Sequence, residues 1–294
     1  MTKKQLKSLI KVVISLGLMY LVLNSLDLSK LVGSLESLNF SYYPLIFFLV
    51  VSNYLVSSMR WKYLLSIFQE GKDISLSYLV RLYFEGAFIS NFLPTSIGGD
   101  VYKSYTLGRK LNDQSRAFGA TFMERFSGVL VLGFLALFGL VKIYKQVGVV
   151  IFVVFMLGIT SFFFVFKRIS TRFTKLQTFY QALAVYLSYK KILGLSILAS
   201  VLVQVFSILT QHLIFMSLGV SLPVAFSFFA FPVIILASFI IPSQNSLGVQ
   251  DLLYASMFST VGVSVELAVS ASLVYHAVRM LVSLLGGFSY AVKK

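Results

Sequence analysis

Apolar residues run through this chain in blocks separated by short polar loops, and most of those loops are basic. A helix needs roughly 20 apolar residues to cross a hydrocarbon core. Blocks at about 9–26, 42–59, 118–141, 147–166, 192–217 and 266–290 approach or exceed that length and predict six full spans. The first follows Lys3, Lys4, Lys7 and Lys11 in the manner of a secretion signal. It ends in Asn24-Ser25-Leu26-Asp27 without a small-x-small cleavage pattern, so it is expected to stay in place as a span.

Two further apolar regions are interrupted. Residues 75–93 run into Pro94-Thr95-Ser96-Ile97-Gly98-Gly99-Asp100 before the helical pattern resumes, giving a candidate hairpin over 75–108. Residues 223–241 run into Pro242-Ser243-Gln244-Asn245-Ser246-Leu247-Gly248, giving a second over 223–262. Proline removes a backbone donor and glycine admits positive φ, so both sequences should break a helix.

Charge chooses between crossing and re-entrant forms of these regions. If both are re-entrant hairpins, nineteen of the 25 Lys and Arg residues fall on the cytoplasmic side. Lys30, Lys142 and Lys145 then lie outside, and Arg81, Arg125 and Arg279 lie within the membrane. The positive-inside bias favours this arrangement, with both termini cytoplasmic. It also divides the chain into two halves, 1–145 and 146–294, each reading span, span, hairpin, span. Three crossings per half make the second half inverted, a build known among transporters. Both loops carry an aspartate, Asp100 and Asp251, ahead of an intramembrane arginine, Arg125 and Arg279. Between the halves, residues 168–190 alternate basic and apolar positions at helical spacing, which suits an amphipathic helix on an anionic leaflet or a solvated linker helix.

Composition agrees with the pattern. Hydrophobic residues make up 58% and charged residues 12%, against about 25% charged in soluble domains. The fold class is therefore an all-α polytopic membrane protein. The net charge of +15 is dispersed in loops rather than gathered into a basic domain, which argues against a nucleic-acid partner. With no cysteine and only His212 and His276, thiol chemistry is excluded and a metal centre has too few soft ligands. No cofactor is implied.

An ionisable group in hydrocarbon needs a partner or a wet cavity. Arg81 and Glu85 are spaced to pair on one helix face. Asp100, after Gly98-Gly99, could cap a half-helix or handle a headgroup. Glu124 and Arg125 are adjacent, so each needs its own partner, although Arg125 could also snorkel to the surface. Arg279 lies deep in the last span, and a guanidinium is a good bidentate partner for phosphate. His276 reads first as a satisfied interior residue and second as a proton relay. The two broken loops would add backbone amides and helix N-termini, which favour anions.

Asn91-Phe92-Leu93-Pro94, then Gly98-Gly99-Asp100, Glu124-Arg125, Pro242 through Gly248 and the late Arg279 resemble the membrane domain of bacterial lysyl-phosphatidylglycerol synthases/flippases, over nearly the whole chain. The second loop departs from that family's pattern: Ser243-Gln244-Asn245-Ser246 and Asp251 stand where glycines and a glutamate are usual. The resemblance implies a flippase-like domain that moves aminoacylated phosphatidylglycerol to the outer leaflet of the bacterial cell membrane. In that family a separate soluble domain transfers lysine from lysyl-tRNA. The chain stops at Lys294 without one, so the resemblance implies the stand-alone membrane form.

Three function classes follow. A lipid translocase would hold a headgroup with Arg279, Arg125, Glu124, Asp100, Arg81 and Glu85. An intramembrane enzyme would use Asp100, Glu124 or Asp251, but no nucleophile–base set or metal motif is visible. A membrane subunit would serve a separate synthase or glycosyltransferase. The expected partners are a membrane phospholipid and, in the third class, that enzyme; a homo-oligomer is compatible with all three.

Overall fold

The structure is a computed structural model that describes residues 27–93, 98–172, 174–240 and 246–292. The first expected span, 9–26, and the two prolines of the breaks, Pro94 and Pro242, lie outside the described residues. The described residues form helices and no strand.

A short helix α1 (Leu28–Glu36) is capped by Asp27, whose carboxylate accepts from the Ser29 backbone N–H at 3.0 Å. Helix α2 (Tyr43–Leu65) follows, with proline in its first turn, where the missing N–H is harmless. The first interrupted region becomes α3 (Leu76–Ser90) and α4 (Gly98–Leu111). Next come α5 (Gln114–Tyr144), α6 (Gln146–Ser170), α7 (Thr174–Ser188) and α8 (Lys190–Ser217). The second interrupted region becomes α9 (Val224–Ile240) and α10 (Val249–Ser259), and α11 (Val265–Val292) ends the described chain. Both regions expected to break do so between two helices.

Four stretches among the described residues, Phe40–Leu65, Gln114–Val141, Lys190–Ser217 and Val265–Val292, are long and apolar enough to cross a membrane. Their outer faces carry exposed Phe48, Phe138, Leu285 and Phe288, an apolar coat that a water-soluble fold would not tolerate at this extent. This is a membrane protein.

The two halves interlock. Helix α2 packs along α8, α3 lies against α11, and α9 lies against α5, so each interrupted region leans on the last helix of the other half. Helix α4 starts 151 positions before α10, and α5 starts 151 positions before α11. The main core joins Ile46, Phe84, Phe215, Phe231, Tyr254, Phe258 and Val278 from six helices. At its centre the Phe215 and Phe258 rings lie 4.3 Å apart. A second core gathers Trp61, Leu64, Leu79, Leu107 and Ala120.

Two glycines shape the hairpins. A methyl on Gly99 would run into the Gly86 carbonyl oxygen, so this residue lets the start of α4 touch α3. Gly248, at φ 78°, makes the left-handed turn into α10.

Two sequence expectations change here. Tyr186, placed by its spacing on the apolar stripe of 168–190, is buried against Phe68 with ring centroids 6.1 Å apart, so α7 docks at least in part on the protein. Lys103, counted with the nineteen cytoplasmic cations, is buried. It sits in the second turn of α4, whose first half enters the protein interior rather than leaving it. In the first turn of α5, Arg116 ties the helix connection together, bonding Glu70 at 2.7 Å and Asp113 at 3.1 Å. The Glu70 backbone N–H and the Arg116 guanidinium hold the Glu70 carboxyl below the usual glutamate range.

Candidate functional site: a charged intramembrane cavity

A cavity of about 240 Å³ opens between α2, α3, α4, α5, α8, α9 and α11. Its wall carries four cations, Arg60, Lys103, Arg125 and Arg279, and two carboxylates, Asp100 and Glu124. The balance is two positive charges in excess.

Sequence spacing places these groups. Asp100 is in the first turn of α4, and Lys103 is one turn later on the same face. The Lys103 ammonium lies 3.2 Å from Asp100 Oδ1 and 2.9 Å from Glu124 Oε2. It also sits 3.7 Å from the centre of the Tyr83 ring and 4.9 Å from that of Trp61, where the ring faces favour a cation. Glu124 accepts from Arg60 Nη2 at 2.8 Å and from the Tyr83 hydroxyl. Arg60 Nη1 donates to Ser200 Oγ at 2.9 Å, which fastens α2 to α8. Arg125 Nε donates to Asp100 Oδ2 at 2.6 Å. Glu124 and Arg125 thus find separate partners, as adjacent helical positions must, and Arg125 turns inward rather than snorkelling.

Exposure separates the roles. The Glu124, Lys103 and Arg60 side chains are 1%, 2% and 6% exposed, whereas that of Arg125 is 46% exposed and lines the cavity. The first three form a closed ionic bracket; the fourth presents a guanidinium to the void. Arg279 lines the cavity from α11, with its guanidinium carbon 5.4 Å from the Tyr275 ring centre. No carboxylate lies within salt-bridge range of Arg279 among the described residues.

Polar side chains continue the wall. Asn91 Nδ2 donates to Ser283 Oγ at 2.8 Å, linking the end of α3 to α11. Asn53 Nδ2 donates to the Val203 carbonyl at 2.7 Å. Gly99 lies on the cavity wall, and Ser90 Oγ accepts its N–H at 3.0 Å.

The expected site residues divide into three groups. Asp100, Glu124, Arg125, Arg279, Asn91 and Gly99 line the cavity. Arg81 and Glu85 pair at 3.3 Å as their spacing predicts, but they do not line it; Glu85 is occupied by Tyr102 at 2.8 Å. Gly98, Gly248 and Asp251 lie beside the breaks, where Asp251 Oδ2 accepts from the Gly248 N–H at 2.9 Å. The aspartate–arginine pattern also needs amendment in the second half. The side chain that meets Asp251 is His276, at 3.7 Å, rather than Arg279. Sequence reasoning missed Arg60 and Lys103. The (i, i+3) spacing of Asp100 and Lys103 was the available signal for the latter.

The donor set is one for anions. No group of three or more His, Asp or Glu placed to hold a metal occurs among the described residues. Converging guanidinium and ammonium groups match phosphate geometry and charge.

No curated protein and no solved structure matches the chain. The model of the family described as "Lysylphosphatidylglycerol synthase TM region" matches residues 8–287. That match takes in the cavity, both breaks and nearly all the chain, and the protein therefore belongs to this family of membrane domains.

Proposed function

We propose that the chain is a lipid translocase that moves an anionic or aminoacylated phospholipid, such as lysyl-phosphatidylglycerol, between the leaflets of the bacterial cytoplasmic membrane. The observation that carries this reading is the cavity: four cations against two carboxylates, walled by helices of both halves. Burying charge costs several kcal/mol per ion, and an apolar packing would often be as stable. Retaining such a cluster makes sense when a ligand uses it.

In this mechanism the headgroup phosphate is taken between Arg125 and Arg279 while the acyl chains stay in lipid. About 240 Å³ is below the 300 Å³ or so at which pockets for whole drug-sized ligands begin. Arg125 exchanges Asp100 for the phosphate, so binding is favourable yet reversible. Passage through a site needs that balance. The two halves act as inverted repeats with hairpins entering from opposite faces, both termini cytoplasmic, and rock to open the cavity on alternate sides. The common 151-position offset of the α4/α10 and α5/α11 starts supports the repeat.

A second reading has one observation in its favour: the family description couples this region to a synthase. In that case the domain serves a partner enzyme, and stable co-purification with a synthase or glycosyltransferase distinguishes it.

The test is translocation in liposomes. With fluorescent phosphatidylglycerol and an impermeant quencher, wild-type protein should give rapid loss of inner-leaflet signal, and Arg279→Ala should approach the protein-free rate. Equal rates for wild type, Arg279→Ala and protein-free liposomes would remove the translocase reading.

A further inference from the structure

We infer that Asp251 and His276 form a proton-binding site, making the second half of the translocase a proton-responsive element. The inference rests on the translocase reading and adds the coupling ion.

The first observation is a matched pair of contacts. In the first half, Asp100 in the opening turn of α4 meets Arg125, 25 positions later, on α5. In the second half, Asp251 in the opening turn of α10 meets His276, again 25 positions later, on α11. The 151-position offset of the helix starts carries Asp100 onto Asp251 and Arg125 onto His276. It also carries Arg60, Lys103 and Glu124 onto Gln211, Tyr254 and Tyr275, and Tyr254 donates to Gln211 Oε1 at 2.5 Å. The ionic bracket of one half is thus a neutral hydrogen-bonded set in the other, with one titratable cation where a permanent one stands. Arginine keeps its proton throughout the physiological range; histidine does not.

The second observation is that the contact is incomplete. The Asp251 side chain is fully buried and that of His276 is 10% exposed, yet their facing atoms, Oδ1 and Nε2, are 3.7 Å apart. Neither atom has a hydrogen-bond partner among the described residues. A buried polar atom left unpaired costs about 1–3 kcal/mol. A proton on Nε2 turns this arrangement into a charge-assisted bond, normally about 2.7–2.9 Å long.

Charged and titratable groups face the pair from several elements. Arg279 is one turn along α11, Tyr275 adjoins His276, and Tyr254 approaches from α10. Helix α8 contributes Gln211 and α2 contributes Tyr54. Helix α3 brings the Arg81–Glu85 pair near Ser289, about 20 Å along α11 from His276 at 1.5 Å per residue. On α1, Lys30 and Glu36 are exposed, as is its cap Asp27. Asp251 is therefore the one carboxylate in contact with the imidazole among the described residues.

The step balances simply. Water on one side gives a proton to His276 Nε2, the site gains one positive charge, and the proton later leaves to the other side. Because Asp251 Oδ2 already holds the Gly248 N–H, protonation clamps the start of α10 and the turn into it to α11, and deprotonation releases that clamp.

The experiment uses the chain's two histidines. With His212→Gln removing the other ring, ¹⁵N-histidine-labelled protein in phosphatidylglycerol nanodiscs is titrated by NMR over about pH 5 to 9. His276 should titrate, and Asp251→Asn should lower its midpoint by about one unit or more, because loss of the carboxylate disfavours the imidazolium. A His276 that stays neutral throughout, or a midpoint indifferent to Asp251→Asn, overturns the inference. In liposomes, an imposed pH gradient should accelerate lipid movement several-fold in wild type and leave His276→Arg unresponsive. Wild-type movement that ignores the gradient overturns proton coupling while the translocase stands. Absence of any lipid movement removes the translocase, and the titration still decides the proton site.

Discussion

Arg125 donates to Asp100 across 2.6 Å, and it does so with nearly half of its side chain open to the cavity. The contact joins the half-helix after the first break to the long helix that follows, and it leaves the guanidinium available to a second anion. Screening by the cavity keeps the pair weak, on the order of 1 kcal/mol. Asp100→Asn should therefore tighten phosphatidylglycerol binding by about fivefold while slowing transport, because Arg125 no longer has an internal anion to return to. Titration of lipid binding by native mass spectrometry checks this; weaker binding in Asp100→Asn would contradict it.

Glu124 is the opposite case. It is enclosed and receives Arg60, Lys103 and Tyr83 together. Glu124→Gln leaves buried cations uncompensated, which should cost about 3–5 kcal/mol. Thermal unfolding in detergent measures it. Arg60→Gln with Glu124→Gln should cost clearly less than the two single changes added together.

For Arg279 the expectation is loss of function without loss of fold, because no carboxylate among the described residues pairs with it and would be stranded. Arg279→Lys keeps the charge and loses the planar fork. Lipid movement should fall by about tenfold, the equivalent of 1.4 kcal/mol, with the melting temperature nearly unchanged. A drop in melting temperature to match would make Arg279 a structural residue.

The hairpin itself is tested at Gly99. Gly99→Ala puts a methyl against the Gly86 carbonyl, and overpacking of this kind should cost about 1–3 kcal/mol. Limited proteolysis between α3 and α4 should become faster in the variant.

The sequence made the helices and both breaks legible, because apolar length and Pro/Gly interruptions are local signals. Glu124 and Arg125 stood out as ionisable groups inside an apolar run, and Asp100 by its place after Gly98-Gly99 in the first break. Lys103 did not, because the charge count places it with the cytoplasmic cations after the first break until α4 is seen to begin inside the protein. Arg60 was hidden for a related reason: it falls one residue past the apolar block 42–59, whereas the bracket with Glu124 and Ser200 depends on three helices meeting. Tyr186 shows the same limit. Its periodicity marked an apolar face correctly, but periodicity does not say whether lipid or Phe68 covers that face. The match of Asp251 to His276 rather than Arg279 needed the register of α10 against α11, which no spacing rule supplied.

Alternating exposure of one cavity is the claim on which the rest depends, and the cysteine-free chain allows a direct test. Ala87 lines the cavity from α3. A single Ala87→Cys should react with a membrane-impermeant thiol reagent applied to either face of sealed, oriented vesicles, and excess phosphatidylglycerol should slow both reactions. Labelling from one face alone, under every condition of lipid and pH, would contradict the account.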